Sequence, residues 1–570
     1  MEKWMVAAKR ADFSRIAASF GIDQVTARLI RNRDIVGDEA IRQYLYGTRE
    51  DLLDPMGMKD MERASGILKE KIMAGSFIRI IGDYDIDGVM STYILLRGLS
   101  GLGASVDYVI PHRITDGYGI NEHLIRQAHE DGVDTIVTCD NGIAAAAQIR
   151  TAREMGMTVI VTDHHEVPFE EENGIRREVI PPADAVVNPK QKDCGYEFPG
   201  ICGAVVAMKL MEALYRLMCP GRDIVDELLE FAAIATVGDV MDLVGENRII
   251  VREGLKRLHR TENPGLQELI RVNGLEPEQI SSYHIGFVLG PCLNASGRLD
   301  TAGRALALLL ARDRQEAAVL AGDLKALNDS RKDMTVQGVE AAVRQVEEQG
   351  MLRDSVLVVY LPECHESLAG IIAGRIRERY HRPAFVLTRG EEGVKGSGRS
   401  TESYSMYEKL CECKEYLTKF GGHPMAAGLS LAEENVEPFR RRLNELSGLT
   451  EADFTEKITI DVPMPLNYIR KDLVRELKLL EPFGKGNEKP LFAQKGLIPR
   501  NIRVFGKNRN VVRMQLADAA GFQMTGIFFG DGDDFVRKVQ GRDSISILYY
   551  PEIDEYQGRE NLQVIVKSWC

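Results

Sequence analysis

The sequence predicts an α/β protein of several domains: a parallel sheet covered by helices, a long helix leading to a second, smaller α/β domain, and a carboxyl-terminal β-barrel. Three observations carry this. Apolar, β-branched runs in the first third alternate with helical patterns, the signature of a parallel sheet. Helical spacing from about 303 to 350 separates them from a second set of strands and helices. After about 455 short strands are broken by turn residues, without helical spacing, as in a small barrel. At 570 residues the chain exceeds one hydrophobic core.

The first strand pattern, FIRIIGDYDIDG (77–88), ends in Asp83, Asp85 and Asp87. A helical segment, 120–131, leads to DTIVTCDNG (134–142), which ends in Asp140. A second helical segment, 143–156, leads to TVIVTDHHE (158–166), which ends in Asp163, His164 and His165. Parallel sheets bind ligands beyond the carboxyl ends of their strands, so the fold would gather all three clusters into one site. A single Asp at a strand end is as readily the N-cap of the next helix; three clusters weigh against that for the set. A fourth candidate follows the small, apolar stretch LLEFAAIATVGDVMDL (228–243), where Asp239 is the expected further ligand and Asp242 could equally be a solvated loop acid. Carboxylates with a few imidazoles suit Mn²⁺ or Mg²⁺. This many ligands suffice for two ions about 3.5–4 Å apart, the arrangement used for in-line attack on phosphorus.

Composition narrows the class. Hydrophobic residues make up 44% and charged residues 28%, as in ordinary soluble proteins. No apolar run reaches the roughly 18 residues of a membrane span, and the first residues lack the apolar core of a signal peptide. The nine cysteines are scattered without a CxxC pair, which fits a reducing cytoplasm better than a disulfide framework or zinc ribbon. The net charge of −13 argues weakly against a general nucleic-acid coat.

DYDIDG (83–88), CDNG (139–142), DHH (163–165) and GDVMDL (238–243) resemble the four motifs of the DHH phosphoesterase superfamily. NRDIVGDEAIRQYL (32–45), FPGICGAVVAMKL (198–210), GPCLNASGRLDTA (290–302), LNDSRK (327–332), GGHPMAAGLSL (421–431) and LEPFGKGNEKPLF (480–492) extend the likeness to the RecJ family over nearly the whole chain. The resemblance implies a helical lead-in (1–55), a DHH catalytic domain (56–325), a connecting helix (326–350), a DHH-associated domain (351–450) and an OB-fold domain (451–570). It implies a 5′→3′ exonuclease that degrades single-stranded DNA to 5′-mononucleotides with two Mn²⁺ or Mg²⁺ ions, in recombination and repair. Asp83, Asp85, Asp87, Asp140, His164 and Asp239 then correspond to metal ligands, and His165 to a residue that holds a ligand or stabilises the phosphate. The resemblance further implies single-strand-binding protein and a RecQ-type helicase as partners; the number of domains in one chain suggests a monomer. Cys292 and Cys364 stand where the family usually has an Arg and often an aromatic residue.

For the strand itself, Asn294, Ser296 and Arg298 are the candidates from the first lobe, with Arg331 beside Asn328 suited to a phosphate. From the second lobe, His365, Ser397 and Arg399 are candidates, with Gly421 and Gly422 allowing close backbone approach and His423 offering a donor. By composition alone, GGH could equally be a tight turn with a packed His. Lys485 to Arg513 holds eight basic residues and one acid, Glu488. Phe505, Phe528, Phe529, Tyr549 and Tyr550 could offer stacking surfaces, although most aromatics in a small barrel are core; basic residues with aromatics suit single-stranded nucleic acid. The competing function within the superfamily is an oligoribonuclease or cyclic-dinucleotide phosphodiesterase, which would leave the basic barrel unexplained. Outside it stands a non-catalytic DNA-binding scaffold, which would not need the full ligand set.

Overall fold

The β-branched runs form strands because such side chains pack well on a pleated surface. In the computed structural model, which describes residues 2–112, 119–172, 175–390, 393–556 and 558–570, they are β1 (Phe77–Ile81), β2 (Ser105–Val109), β3 (Thr135–Cys139), β4 (Thr158–Thr162) and β5 (Ala185–Val187). All pair in parallel, in the order β2-β1-β3-β4-β5. The connections between them include α1 (Ile86–Gly101), α2 (Glu122–Glu130) and α3 (Ala146–Glu154). Two further helices, α4 (Gly203–Met218) and α5 (Ile224–Gly238), pack with α1. The strand order reverses between β1 and β3, and ligands of such sheets bind at that switch point.

The chain folds as two compact units. Trp4–Gly290 joins Thr459–Cys570 in the larger, and Pro291–Ile458 makes up nearly all of the smaller. In the smaller unit, α6 (Gly290–Leu299) leads to a short helix, Gly303–Leu309, and then to the 35-residue α7 (Arg314–Glu348). The helical stretch read as 303–350 is therefore broken, because Asp313 caps α7 by accepting from the amides of Gln315 and Glu316. Position 326 falls inside α7 rather than at a boundary. A mixed sheet follows, from β6 (Leu357–Tyr360), β7 (Ala384–Gly390), β8 (Gly393–Arg399), β9 (Lys419–His423) and β10 (Ala426–Leu431), in the order β9-β10-β8-β7-β6. Helix α8 (Ala369–Tyr380) packs on β7 and β8.

The carboxyl-terminal strands are β11 (Phe492–Phe505), β12 (Val511–Ala517), β13 (Gln523–Phe529), β14 (Ile545–Tyr556) and β15 (Arg559–Trp569). They run β11-β12-β13-β15-β14, and β14 pairs back onto β11, which closes the barrel. Irregularities in β11 at Gln494/Leu497 and Arg500/Arg503 supply the bending that closure needs. Tyr549 and Tyr550 are buried in the barrel core, so they offer no stacking surface, whereas Phe505 and Phe529 are exposed. The amino-terminal helices Phe13–Phe20, Gln24–Asn32 and Asp38–Tyr46 share this core, a long-range pairing with no local sequence signal. No described helix is long and apolar enough to cross a membrane.

Candidate active site

The ends of β1, β3 and β4 converge. Gly82 follows β1 at a point where a Cβ would lie 2.1 Å from the Thr92 hydroxyl. Asp83 comes next, and Asp85 caps α1 by accepting from the amides of Asp87 (3.0 Å) and Gly88 (3.1 Å). The capping reading of a strand-end acid thus holds for Asp85, which also faces the cluster. Asp87 sits in the first turn of α1 and accepts from the amides of Gly203 (2.7 Å) and Ala204 (2.8 Å) at the start of α4. Asp140 follows β3 with φ +60°, a left-handed conformation that costs a non-glycine residue about 1–2 kcal/mol. Asn141 holds this corner: its amide donates to the carbonyls of Ile81, Gly82 and Cys139 and its oxygen accepts from Ile120. A Cβ on Gly203 would meet that of Asp140 at 2.8 Å, so only glycine lets α4 approach.

His164 Nε2 lies 3.1 Å from Asp140 Oδ1, 3.4 Å from Asp87 Oδ2 and 3.8 Å from Asp239 Oδ2. Among the described residues, potential ligand atoms fall into three overlapping groups, each within 4.8 Å: Asp83, Asp85 and Asp140; Asp87, His164 and Asp239; and Asp140, His164 and His165. Every predicted ligand is in one of them. His164 Nδ1 is buried without a hydrogen-bond partner among the described residues. Burial and then the charge of Asp85 push Asp83 up to about 8. Burial, then Asp87 and Asp85, push Asp239 up to about 8 as well, and Asp140 is raised for the same reasons. Buried acids crowded this way need a cation, and an oxygen-rich set with one or two imidazoles fits Mn²⁺ or Mg²⁺.

Asp163, which is outside the expected ligand set, supports the two histidines that follow it. Its Oδ1 accepts from the amides of His164 (2.7 Å) and His165 (3.1 Å) and lies 2.7 Å from His165 Nδ1, while Oδ2 accepts from Ile143 N (2.9 Å). It orients the two histidines. Burial lowers the His165 imidazole, but the hydrogen bond and charge of Asp163 and the neighbouring acids outweigh this and raise it to about 9. His164 is lowered by burial. Asp242 is exposed and pairs with Lys485 at 3.1 Å, so of the two readings it is the loop acid.

The strand-binding candidates lie in the smaller unit. Asn294 and Arg298, expected from the first lobe, belong to it, because Cys292 on α6 is buried beside Asn328 of α7 (3.3 Å) and Arg298 donates to the Ser367 carbonyl at 3.1 Å. Ser296 is fully buried, with its hydroxyl bonded to Leu293 O, so its side chain does not stand open to a strand. Arg331 donates to Asn328 at 3.1 Å and is lowered by burial. Arg399 lies over Gly370, where a Cβ would stand 2.8 Å from its guanidinium, and burial lowers it too. Neither arginine has a carboxylate partner among the described residues, which leaves both suited to an anion. His365 Nδ1 accepts from Ser367 N (3.3 Å), and Ser397 is half-buried on β8. Gly421, Gly422 and His423 lie exposed on the edge strand β9, and Gly422 has φ +146°, so GGH is not a turn with a packed His.

Comparison with known proteins agrees along the chain. Family models match the DHH family, N-terminal domain, at 77–236, the DHHA1 domain at 353–448 and the RecJ OB domain at 460–568. The single-stranded-DNA-specific exonuclease RecJ of Bacillus subtilis is 38% identical over 551 residues, spanning 96% of this chain and 68% of its own length. The protein of that name from Escherichia coli is 33% identical over 569 residues, covering 95% of each. The crystal structure of RecJ in complex with Mn²⁺ from Thermus thermophilus superposes with a TM-score of 0.82 at 28% identity, covering 100% of this chain and 79% of that one.

Proposed function

The chain belongs to the RecJ family, metal-dependent exonucleases that degrade single-stranded DNA from 5′ to 3′, and on that premise we propose how its residues divide the work. Asp83, Asp85 and Asp140 would hold one divalent ion, and Asp87, His164 and Asp239 a second. When bound, two such ions lower the pKa of water and neutralise charge growing on a phosphoryl group. Asp163 fixes His165 so that a proton stays on Nδ1, and the half-exposed imidazolium then donates to a phosphate oxygen. The observation that carries this reading is the buried, crowded acid cluster at the switch point of a parallel sheet.

In the smaller unit, Arg298, Arg331 and Arg399 receive phosphates, with Asn294, His365, Ser397 and the Gly421–Gly422–His423 strand around the terminal nucleotide. Arg503 and Arg513 lie opposite each other on exposed barrel strands, and with Phe505 and Phe529 they would hold strand further from the cut. DHH, DHH-associated and OB-type domains divide these tasks. The protein acts as a cytoplasmic monomer in recombination and repair, with single-strand-binding protein and a RecQ-type helicase as partners.

The test is a single-stranded DNA labelled at either end, incubated with Mn²⁺ beside a duplex and the Asp140→Ala variant. Immediate release of a mononucleotide from the 5′ label alone, absent with the duplex and the variant, is the expected result. Cleavage of dinucleotides with long strands left intact would instead favour a small-substrate phosphodiesterase.

A further inference from the structure

Beside the metal-ligand cluster the larger unit carries a cleft of about 910 Å³ whose lining includes Gly238 and Val240, the two neighbours of Asp239. Val240 is β-branched yet has φ +58°, and it is 61% exposed. That conformation is strained, and it turns the Asp239 carboxylate into the cluster while the next side chain faces the cleft. Tyr283 and Phe287, which also line the cleft, are 62% and 65% exposed. Their rings stack at 4.9 Å between centroids and 29° between planes. Phe287 lies in a π-helical segment, Ile285–Leu289, a local irregularity that is frequent at functional sites. The cleft also carries Arg252, Lys256, Lys478, Lys485, Lys489 and Lys567, against Glu481 and Glu488. Lys485 pairs with Asp242 and Lys256 with Glu253; the remaining cations, in one cleft with open aromatic faces, are complementary to a polyanion with flat bases.

We propose that Tyr283 and Phe287 form a base-stacking platform for the single strand held next to the metal cluster. The proposal rests on the single-strand nuclease reading of that cluster. It makes the platform a determinant of single-strand selectivity, because paired bases present no free face to stack on. An apolar peptide, the other conceivable occupant, is disfavoured by rings that stand open to solvent and by the excess of cations.

The experiment measures the affinity of the full-length protein for a fluorescent mixed-sequence oligonucleotide without divalent metal. The same strand carrying abasic sites serves as comparison, and thermal melting checks each variant. The Tyr283→Leu/Phe287→Leu variant keeps apolar bulk without π faces. It should bind the intact strand about tenfold or more weakly and the abasic strand as the wild type does. Phe287→Leu alone should show the same ordering with a smaller loss, which covers a folding failure of the pair. Equal wild-type and variant affinity for the intact strand, or an equal loss on both strands, overturns the platform. If the wild type degrades no single strand with Mn²⁺, the nuclease reading fails instead, and the two failures are thereby told apart.

Discussion

At the carboxyl end of the parallel sheet, Asp83, Asp87, Asp140 and His164 are 1%, 1%, 2% and 6% exposed, whereas Gly421, Gly422 and His423 on β9 face solvent. The first region crowds more acids than the single His165 imidazolium beside them offsets, and carries strain at Asp140. The second is an edge strand of little bulk, in a unit where Arg331 and Arg399 have no carboxylate partner among the described residues. Buried like charges call for a resident ion. Exposed donors and uncommitted guanidinium groups call for an anion that arrives and leaves. The two halves of the chemistry thus differ in how their ligands are kept.

Substitutions should separate these two kinds of site. Asp140→Ala removes a ligand shared by two of the groups, and losing several kcal/mol of metal-supplied stabilisation should lower turnover by at least about 10³-fold. It should also abolish the rise in melting temperature that Mn²⁺ produces; a variant still stabilised by Mn²⁺ would move the ion elsewhere. Arg399→Ala should raise KM for single strands about 10- to 100-fold, the range of a lost charge-assisted hydrogen bond, while its Mn²⁺ stabilisation stays as in the wild type. Loss of both together would show that the two regions are not separable in this way. Asp163→Asn should lower activity about 10- to 100-fold, as for residues that orient metal ligands. It should also shift the alkaline limb of the pH profile downward, because the His165 imidazolium loses the partner that holds it at about 9. An unshifted profile would remove His165 from the chemistry.

The smallest effect concerns pH. Burial and neighbouring charge push Asp83 and Asp239 up to about 8 in the fold, above the ordinary carboxylate value of 3.8. Between those limits the metal-free fold binds protons that the unfolded chain has released. The stability these acids contribute is present below about pH 4 and lost as pH rises through about 8. Melting of the metal-free protein should therefore fall across this window, and the increment from Mn²⁺ should grow, since metal binding displaces those protons. An increment independent of pH would argue against these acids as ligands.

The gathering of Asp83, Asp85, Asp87, Asp140 and His164 was legible in the sequence because they follow strands whose ends a parallel sheet aligns, whereas Asp239 ends helix α5. The roles of neighbours were not. In sequence Asp163 shows no role of its own, and only the distance to His165 Nδ1 reveals that it orients. Asn141 and Gly203 show their purpose through contacts with β1 and Asp140, which are distant in sequence. Closure of the barrel followed from short strands, but its core shared with the amino-terminal helices depends on pairings across more than four hundred residues. For Ser296 and the two buried tyrosines residue type suggests a contact, and burial decides whether it is available.

The most direct measurement is anomalous scattering at the manganese edge from crystals grown with Mn²⁺. Two peaks are expected, one among Asp83, Asp85 and Asp140 and one among Asp87, His164 and Asp239. No peak there, or Mn²⁺ bound only outside these residues, would contradict the account.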